Sequence, residues 1–246
     1  MCGIAAILLH PQERPAEIWQ AIKESLTHNL LYNQERGDAA TGLAVIQTDG
    51  QVFLQKMPLS ATEFVATYEY EALLNRIGPQ TTLLLGHTRH PTKGTPANND
   101  NNHPLQVGAV LGVHNGHIHN DDNLFSYSGY PRQAEVDSEI IFRLLEPISP
   151  LLPNHDYLTK IRDQLQWLQG KYTFLACDRR TPARLLVIKH HNPLSIHFQA
   201  EWNALIFSSR YVFLRKTFGR AVLHEVLPRN QLLLFDAYTL PKPTEE

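Results

Sequence analysis

The chain has 246 residues, of which 43% are hydrophobic and 19% are charged, and its formal net charge is −2. This composition is typical of a globular protein with one sizeable domain. Because no lysine- or arginine-rich run occurs, we expect neither a nucleic-acid partner nor an anionic membrane surface. No apolar run approaches the roughly 20 residues that span a bilayer, and no basic leader of a signal peptide precedes the first apolar segment. We therefore expect a cytoplasmic protein.

Nine short apolar segments predict strands. In chain order these segments are 3–9, 42–48, 51–56, 81–87, 107–114, 172–178, 184–190, 204–209 and 231–237. The Asp49-Gly50 dipeptide between the second and third segments is a strong signal for a two-residue hairpin.

Helical spacing of apolar residues predicts helices in four further segments. These are 18–30, 60–76, 137–146 and 157–168. Hairpins separated by helices, without a regular βαβ alternation, favour an α+β fold in which helices cover antiparallel sheets. We expect a single domain over residues 1–240 and a disordered tail over 241–246.

The two cysteines, Cys2 and Cys177, form neither a CxxC motif nor a disulfide framework. Removal of Met1 would leave Cys2 with both a thiol and a free α-amine. Only the thiolate is nucleophilic, so the thiol needs a base. An N-terminal amine, with a reference pKa of about 7.7 to 8.0, can be that base for its own side chain. Cys2 is therefore a candidate nucleophile, and a cysteine without function in a frayed terminus is the alternative.

The segment GHTRHPTKG (86–94) places Arg89 at the end of a predicted strand, beside turn residues. A guanidinium in this position can bind a substrate carboxylate through two parallel hydrogen bonds, a geometry that lysine cannot reproduce. The alternative is a surface arginine paired with an acid.

The segment HNGHIHN (114–120) supports two functional interpretations. In the first, the side-chain N–H of Asn115 and the backbone N–H of Gly116 form an oxyanion hole for a tetrahedral acyl intermediate. In the second, His114, His117 and His119 are metal ligands, since the last two share a face if the strand continues.

The segment VDSEIIFRLL (136–145) begins with two residues that can cap a helix, Asp137 and Ser138. The functional interpretation is that Asp137 also faces a pocket and pairs with a substrate ammonium. Together with a guanidinium that binds a carboxylate, such a group would specify an α-amino acid.

The order of these motifs resembles that of class II glutamine amidotransferase domains. The motifs are MCGI at the start, RGDAATG (36–42), GHTRHPTKG with the later NNHP (101–104), HNG (114–116) and DSE (137–139). GKYTFLACD (170–178) and HHNPLSI (190–196) are similar to the second half of that family. The resemblance therefore covers nearly the whole chain.

The resemblance implies the N-terminal nucleophile hydrolase fold, a four-layer αββα sandwich with two antiparallel sheets. It also implies hydrolysis of the side-chain amide of L-glutamine to glutamate and ammonia. By this likeness, Cys2 forms a glutamyl thioester, while Asn115 and Gly116 hold the oxyanion. Arg89 would bind the carboxylate of glutamine and Asp137 its ammonium. No metal or organic cofactor is required for this half-reaction.

The same resemblance implies supporting roles for Arg36, at the catalytic end, and for Thr92 and Gly94, in a loop over the substrate. Two residues of that loop depart from the family's pattern. His90 stands where an aromatic residue is frequent, and Lys93 stands where a histidine is frequent. We therefore expect the loop to pack differently from that of other members.

Members of this family usually carry a second domain that uses the ammonia, whereas the glutaminase fold would consume nearly all 246 residues here. From this length we expect a separate ammonia-acceptor protein, a synthetase or a transferase. Two competing interpretations remain. One is a non-catalytic module that senses glutamine through Arg89 and Asp137. The other is a metal-dependent hydrolase built on the histidines of segment 114–119.

Overall fold

The computed structural model describes residues 1–219 and 227–245, and these residues form strands that pair only in antiparallel fashion. The strands, in chain order, are β1 (Gly3–Leu9), β2 (Ala40–Gln47), β3 (Val52–Met57), β4 (Thr81–Arg89), β5 (Leu105–Val107), β6 (Val110–Ile118), β7 (Gly170–Asp178), β8 (Arg184–Lys189), β9 (Ser195–Gln199), β10 (Ala204–Ser208), β11 (Gln231–Asp236) and β12 (Thr244–Glu245). They form two six-stranded sheets. Sheet A has the order β3-β2-β4-β1-β10-β9, and sheet B has the order β12-β11-β8-β7-β6-β5.

The α-helices of the described residues cover the outer faces of these two sheets. In chain order they are α1 (Ala16–Asn33), α2 (Ala61–Phe64), α3 (Tyr68–Leu74), α4 (Asp121–Ser128), α5 (Ser138–Leu145), α6 (Asn154–Leu165) and α7 (Tyr211–Phe218). Apolar residues of α1 pack on sheet A, and those of α5 and α6 pack on sheet B. A third apolar cluster fills the space between the sheets. The result is the four-layer αββα sandwich that the resemblance implies.

Each of the nine predicted strands corresponds to an observed one, and β1 has the predicted bounds. The predicted helix 60–76 is divided into α2 and α3, because Ser60 and Thr67 each accept a capping hydrogen bond and so begin a separate helix. The predicted strand 107–114 is divided between β5 and β6 by the turn at Gly108. Helices α4 and α7 and strands β9 and β12 were not predicted, and of β5 only Val107 was.

The end of the chain also differs from the expectation. The sequence predicts a disordered tail over 241–246, of which residue 246 lies outside the described residues, whereas Thr244–Glu245 pairs with Leu233 and Leu234 of β11. The open edge of β11 presents unpaired backbone N–H and C=O groups, and these bind an added strand.

Cys177 lies on β7 among the apolar side chains between the sheets, and 1% of its surface is exposed. Burial, together with the charge of Asp178, raises the pKa of its thiol to about 12. Cys177 is therefore a neutral core residue at ordinary pH.

No helix within residues 1–219 and 227–245 is both long enough and apolar enough to cross a membrane.

The two sheets are joined by polar contacts at one end of the sandwich. The hairpin between β2 and β3 turns at Gly50, whose φ of +80° is favourable only for glycine. The Asp49-Gly50 signal predicts the place of this turn, but the predicted two-residue loop is wrong, because Gln47 N–H donates to the Gln51 carbonyl across residues 48–50. The Gly50 carbonyl accepts a hydrogen bond of 2.9 Å from Nε of Arg179, which directly follows β7. This pair links sheet A to sheet B at the end remote from Cys2.

At the opposite end, the start of β1 lies beside the end of β4, with Gly3 paired to Thr88. The first residue of β2, Ala40, is paired to Arg89. The last part of β6 comes from the other sheet and is paired with the start of β7. The predicted site residues lie around this end.

Candidate active site

Cys2 directly precedes β1 and is half-buried at the edge of the sandwich. Its carbonyl oxygen accepts a hydrogen bond of 2.8 Å from Nε of Arg36, and its Sγ lies 3.6 Å from the carbonyl oxygen of His90. Burial raises the pKa of the Cys2 thiol, and the nearby charge of Arg89 opposes that rise. The thiol is therefore neutral at pH 7 and needs a base before it can attack.

Arg89 ends β4 and is 3% exposed. Its Nη1 donates to Oδ1 of Asn102 at 2.8 Å. Its Nη2 donates to the carbonyl oxygens of Lys93 and Gly94, both at 2.7 Å. The guanidinium therefore holds the loop that follows β4 in addition to facing the cleft beside Cys2.

The same loop is attached to α4 by an ion-pair network. Nζ of Lys93 lies 2.6 Å from Oδ2 of Asp121 and 2.7 Å from Oδ1 of Asp122. Arg132 pairs with the same two carboxylates. Lys93, which departs from the family's pattern, thus closes the loop onto a helix that the sequence did not predict.

The segment His114–Asn115–Gly116 lies on the last part of β6. Strand β5 pairs with β6 only from Val110 to Gly112. Beyond that point the edge of β6 has no strand partner among the described residues. Ile118 N–H donates to Asp137 across this open edge. In a strand, the N–H groups of alternate residues point to the same edge. The N–H of Gly116, two residues before Ile118, therefore also points to this open edge.

Asn115 is fully buried, and neither Oδ1 nor Nδ2 of its side chain has a hydrogen-bond partner among the described residues. Gly116 has a φ of +152°, and a Cβ at this position would lie 2.1 Å from the carbonyl oxygen of Lys171. Only glycine therefore fits at position 116. The Asn115 side chain therefore offers hydrogen-bonding groups that the described residues leave unused.

Asp137 is 3% exposed and directly precedes α5. The sequence predicts that it caps this helix, but its side chain makes no capping hydrogen bond. Its backbone is already helical there, and Oδ2 turns instead towards β6, where it accepts from Ile118 N at 2.6 Å. Nδ1 of His117 lies 3.4 Å from the same oxygen. The Ser138 hydroxyl, also predicted as a cap, contacts Nδ1 of His114 at 2.7 Å.

Three buried histidines lie beneath the cleft, one each from β4, the loop before β5, and β6. Burial lowers the pKa of His87 to about 3, and it also lowers the pKa values of His103 and His114. The rings of His87 and His103 are 4.4 Å apart between centroids. All three side chains are therefore neutral at ordinary pH.

The structure brings most of the predicted site residues to one narrow cleft. The predicted residues that line it are Cys2, Arg89, Thr92, Gly116 and Asp137. Of the remaining three, Arg36 contacts the Cys2 backbone, Gly94 contacts the Arg89 guanidinium, and Asn115 adjoins Gly116. The cleft has a volume of about 10 Å³, enough for one water-sized molecule.

Other residues of the cleft were not predicted as site residues, among them His103 and Ser138. The NNHP motif was the available signal for His103, and the DSE motif was the available signal for Ser138. Neither motif shows by itself that the side chain reaches a cleft.

The arrangement of the histidines in segment 114–119 does not resemble a ligand set. His114 is bound to Ser138, whereas His117 and His119 face each other with ring centroids 4.7 Å apart. Within the part of the chain that the structure describes, no group of three histidine, cysteine or carboxylate side chains is arranged to hold a metal ion.

A family model described as a glutamine amidotransferase domain matches residues 89–216, which is more than half of the chain. The chain belongs to this glutamine amidotransferase family. The match includes the strand end at Arg89, the end of β6 with Asn115 and Gly116, and the start of α5. It confirms the family that the sequence motifs resemble.

Curated relatives include glutamine–fructose-6-phosphate aminotransferases. Those of Shewanella oneidensis and Vibrio cholerae are 26% and 27% identical to this chain over 97% and 100% of its length. The enzyme of Corynebacterium diphtheriae is 32% identical over 65% of the chain. The chain spans 37%, 38% and 25% of these three relatives, so it corresponds to one part of each.

Solved structures show the same fold. The glutamine phosphoribosylpyrophosphate amidotransferase of B. subtilis, complexed with ADP and GMP, has a TM-score of 0.74 at 20% identity, over 99% of this chain and 49% of that one. A glutamine aminotransferase class-II domain protein from Silicibacter pomeroyi has a TM-score of 0.56 at 11% identity, over 96% of this chain and 95% of that one. The family domain thus has the N-terminal nucleophile hydrolase fold.

Proposed function

We propose that this glutamine amidotransferase domain, after removal of Met1, hydrolyses the side-chain amide of L-glutamine through a thioester on Cys2. The observation that carries the proposal is the convergence of a thiol, a guanidinium and a carboxylate in one cleft, from Cys2, Arg89 and Asp137. The two charged groups complement the carboxylate and ammonium of an α-amino acid. The thiol supplies the nucleophile.

The α-amine of Cys2 is the base in this proposal. A free amine with a pKa near 8 can take the thiol proton at neutral pH. Met1 is 66% exposed, so an aminopeptidase can reach the bond that must be cleaved. Arg36 holds the Cys2 carbonyl oxygen, and this contact keeps the new terminus at the cleft.

Acylation begins when the thiol proton moves to the amine and Sγ forms a bond to the amide carbon. The carbonyl oxygen becomes an oxyanion, which accepts hydrogen bonds from Nδ2 of Asn115 and the N–H of Gly116. The C–N bond then breaks, and the amine returns its proton to the departing nitrogen, so ammonia leaves. Donors aimed at the oxyanion supply the main stabilisation of such a transition state.

Deacylation follows the same path with water as the nucleophile. The amine removes a proton from the attacking water, the oxyanion forms again between Asn115 and Gly116, and the C–S bond breaks. Cys2 regains its proton, and glutamate leaves.

The loop residues Thr92 and Gly94 line or border the cleft, and they would cover the bound glutamine. Because Arg89 is 3% exposed and its guanidinium binds the carbonyls of Lys93 and Gly94 in this loop, the loop opens to admit glutamine in this proposal. Closure then excludes bulk water from the thioester.

We further propose that the ammonia passes to a separate acceptor protein, a synthetase or transferase. The curated relatives are named glutamine–fructose-6-phosphate aminotransferases, names that pair glutamine with an acceptor of its amino group. The test supplies glutamine with a labelled amide nitrogen to an extract that contains this protein and its acceptor, and it measures the label in the aminated product. If added unlabelled ammonium dilutes that label, the ammonia is released into solution and is not delivered directly.

The first experiment measures glutamate release from glutamine by protein whose N-terminus has been verified by mass spectrometry. Cys2→Ala should abolish release, whereas Cys177→Ala should retain it, because the second thiol is a core residue. Equal activity in Cys2→Ala and the parent protein would refute the proposal.

A second arm tests the free amine. Protein that retains Met1 should be inactive, and treatment with methionine aminopeptidase should restore glutamate release. If correctly processed protein binds glutamine but never releases glutamate, with or without an acceptor, a non-catalytic glutamine-binding module is the better description.

A further inference from the structure

The nucleophile and the oxyanion donors lie on different sheets. Cys2 adjoins β1 of sheet A, whereas Asn115 and Gly116 lie on β6 of sheet B. The hydrophobic effect that holds two sheets together is non-directional, whereas a hydrogen bond has a defined length and angle. A hydrogen bond between β6 and sheet A, close to the cleft, would define the distance between the two sheets at that point.

His87 makes such a contact. It lies on β4, which is hydrogen-bonded to β1, and Ile4 is its register partner. Its ring crosses the interior, and Nε2 lies 2.9 Å from the backbone carbonyl oxygen of His114 on β6. The side chain is 1% exposed, so water does not compete for this bond.

The direction of this hydrogen bond follows from its acceptor. A carbonyl oxygen can only accept, so Nε2 of His87 carries the proton and Nδ1 is bare. Burial lowers the pKa of His87 to about 3, and the ring stays in this neutral form at ordinary pH. Nδ1 has no hydrogen-bond partner among the described residues. Among those residues, the ring therefore makes a single hydrogen bond, which is the one to the His114 carbonyl.

The segment that receives this bond is also held from its other sides. Nδ1 of His114 contacts the hydroxyl of Ser138 on α5 at 2.7 Å. Nδ2 of Asn192 donates to the carbonyl oxygen of Asn115 at 2.7 Å. The Asn115 side chain itself has no partner among residues 1–219 and 227–245, so its position depends on the backbone that these contacts hold.

We propose that His87 is a positioning residue, whose Nε2–H bond to the His114 carbonyl sets the distance between the oxyanion segment of β6 and Cys2. The inference rests on the proposed function. His87 touches neither substrate nor nucleophile and acts through the β6 backbone. A misplacement of about 1 Å in an active site can cost about a hundredfold in rate.

The test compares His87→Gln with His87→Leu. Glutamine can place a side-chain N–H near the position of Nε2, whereas leucine has a similar volume and no donor. We expect kcat for glutamate release to fall by about 10- to 100-fold in His87→Leu and to stay within about threefold of the parent in His87→Gln. The glutamate concentration for half-inhibition, which reports on Arg89 and Asp137, should change by less than about threefold in both.

Two alkylating agents separate positioning from a loss of fold. A glutamine-like diazoketone places its carbonyl oxygen at the oxyanion position, whereas iodoacetamide needs only a reactive thiol. In His87→Leu the diazoketone should label Cys2 at least about tenfold more slowly, with iodoacetamide labelling unchanged. Should His87→Leu fail to fold, His87→Asn replaces it, because its shorter side chain cannot reach β6.

Equal kcat values and equal diazoketone rates in parent and His87→Leu would overturn the inference while leaving the glutaminase proposal intact. A parallel loss of both alkylation rates and of thermal stability, without rescue by glutamine, would also overturn it, since that result describes a purely structural residue. An inactive, correctly processed parent protein would instead refute the proposed function.

Discussion

Two fully buried asparagines, one on each side of the cleft, differ in how the fold uses them. Asn102, in the loop region, accepts from Arg89 and donates to the Pro96 carbonyl and to Asn99. Asn115, on β6, makes no side-chain hydrogen bond with any described residue. A buried amide without partners is costly, so it persists where a ligand supplies the missing bonds. The Asn102 side chain thus holds the loop in place, whereas the Asn115 side chain is left able to bind a ligand.

The sharpest test of this contrast is the pair Asn115→Ala and Asn102→Ala. We expect Asn115→Ala to lower kcat for glutamate release by about 100- to 1000-fold, the usual cost of one oxyanion donor, with little loss of stability. Asn102→Ala should lower the free energy of unfolding by about 2 kcal/mol, because it leaves buried partners unsatisfied. Steady-state kinetics and urea denaturation of both variants measure the two effects. The contrast fails if Asn115→Ala is the less stable variant and keeps its kcat.

A smaller effect is expected at Arg89, whose guanidinium holds the loop and faces the cleft. Arg89→Lys keeps the charge but cannot satisfy three acceptors in the same fork geometry. We expect the KM for glutamine to rise by about 10- to 100-fold, together with the concentration of glutamate needed for half-inhibition. Arg162→Lys, at an exposed site on α6, is the control. An unchanged KM in Arg89→Lys would show that the substrate carboxylate binds elsewhere.

The buried histidines predict a pH dependence of stability. In the folded protein burial holds the pKa of His87 at about 3 and lowers those of His103 and His114, whereas the unfolded chain binds these protons near pH 6.5. The unfolded state therefore holds more protons below pH 6.5, and stability falls as the pH decreases from that value. Each histidine contributes up to about 1.4 kcal/mol per pH unit.

Urea denaturation between about pH 5 and about pH 8 measures this slope. Below pH 6.5, His87→Gln should reduce the change in unfolding free energy per pH unit by the contribution of one histidine, up to about 1.4 kcal/mol. Above pH 7 the variant and the parent should have the same slope. An identical slope in the variant and the parent would mean that His87 is protonated in the folded protein.

The smallest effect is expected at the ion pairs of Lys93. This lysine is partly exposed, and solvent screens its pairs with Asp121 and Asp122. Lys93→Met should raise the KM for glutamine by about two- to fivefold at low salt, because the loop closes less firmly. Lys160→Met, an exposed lysine on α6, is the control.

The difference between Lys93→Met and the parent should disappear at high ionic strength, where such pairs are screened. A KM effect that persists in high salt would mean that Lys93 contacts glutamine directly.

Much of the fold could be predicted from local patterns, because strand and helix periods are properties of neighbouring residues. Buried strands such as Gly3–Leu9 are apolar throughout, and the Asp49-Gly50 turn specifies its own geometry. Helix α4 was missed because its first turn is polar, with two aspartates and an asparagine, and its apolar face is small. Helix α7 was missed because it follows β10 with no capping side chain.

The candidate site could be predicted as a set of residues but not as a set of contacts. The order of the motifs identified Cys2, Arg89 and Asp137, and their individual roles stay predictions. The bond between His87 and the His114 carbonyl joins two sheets and has no local sequence signal. The cap pattern at the start of α5 was misleading, because the hydroxyl of Ser138 binds a histidine of β6 instead of the helix backbone.

The contact between Arg179 and Gly50 has a mechanical consequence. It joins the two sheets at the end remote from Cys2, and the bond of His87 joins them at the near end. A directional bond at each end adds to the close packing between the sheets and opposes their sliding past each other. We therefore expect the loop after β4 to move more readily than the two sheets.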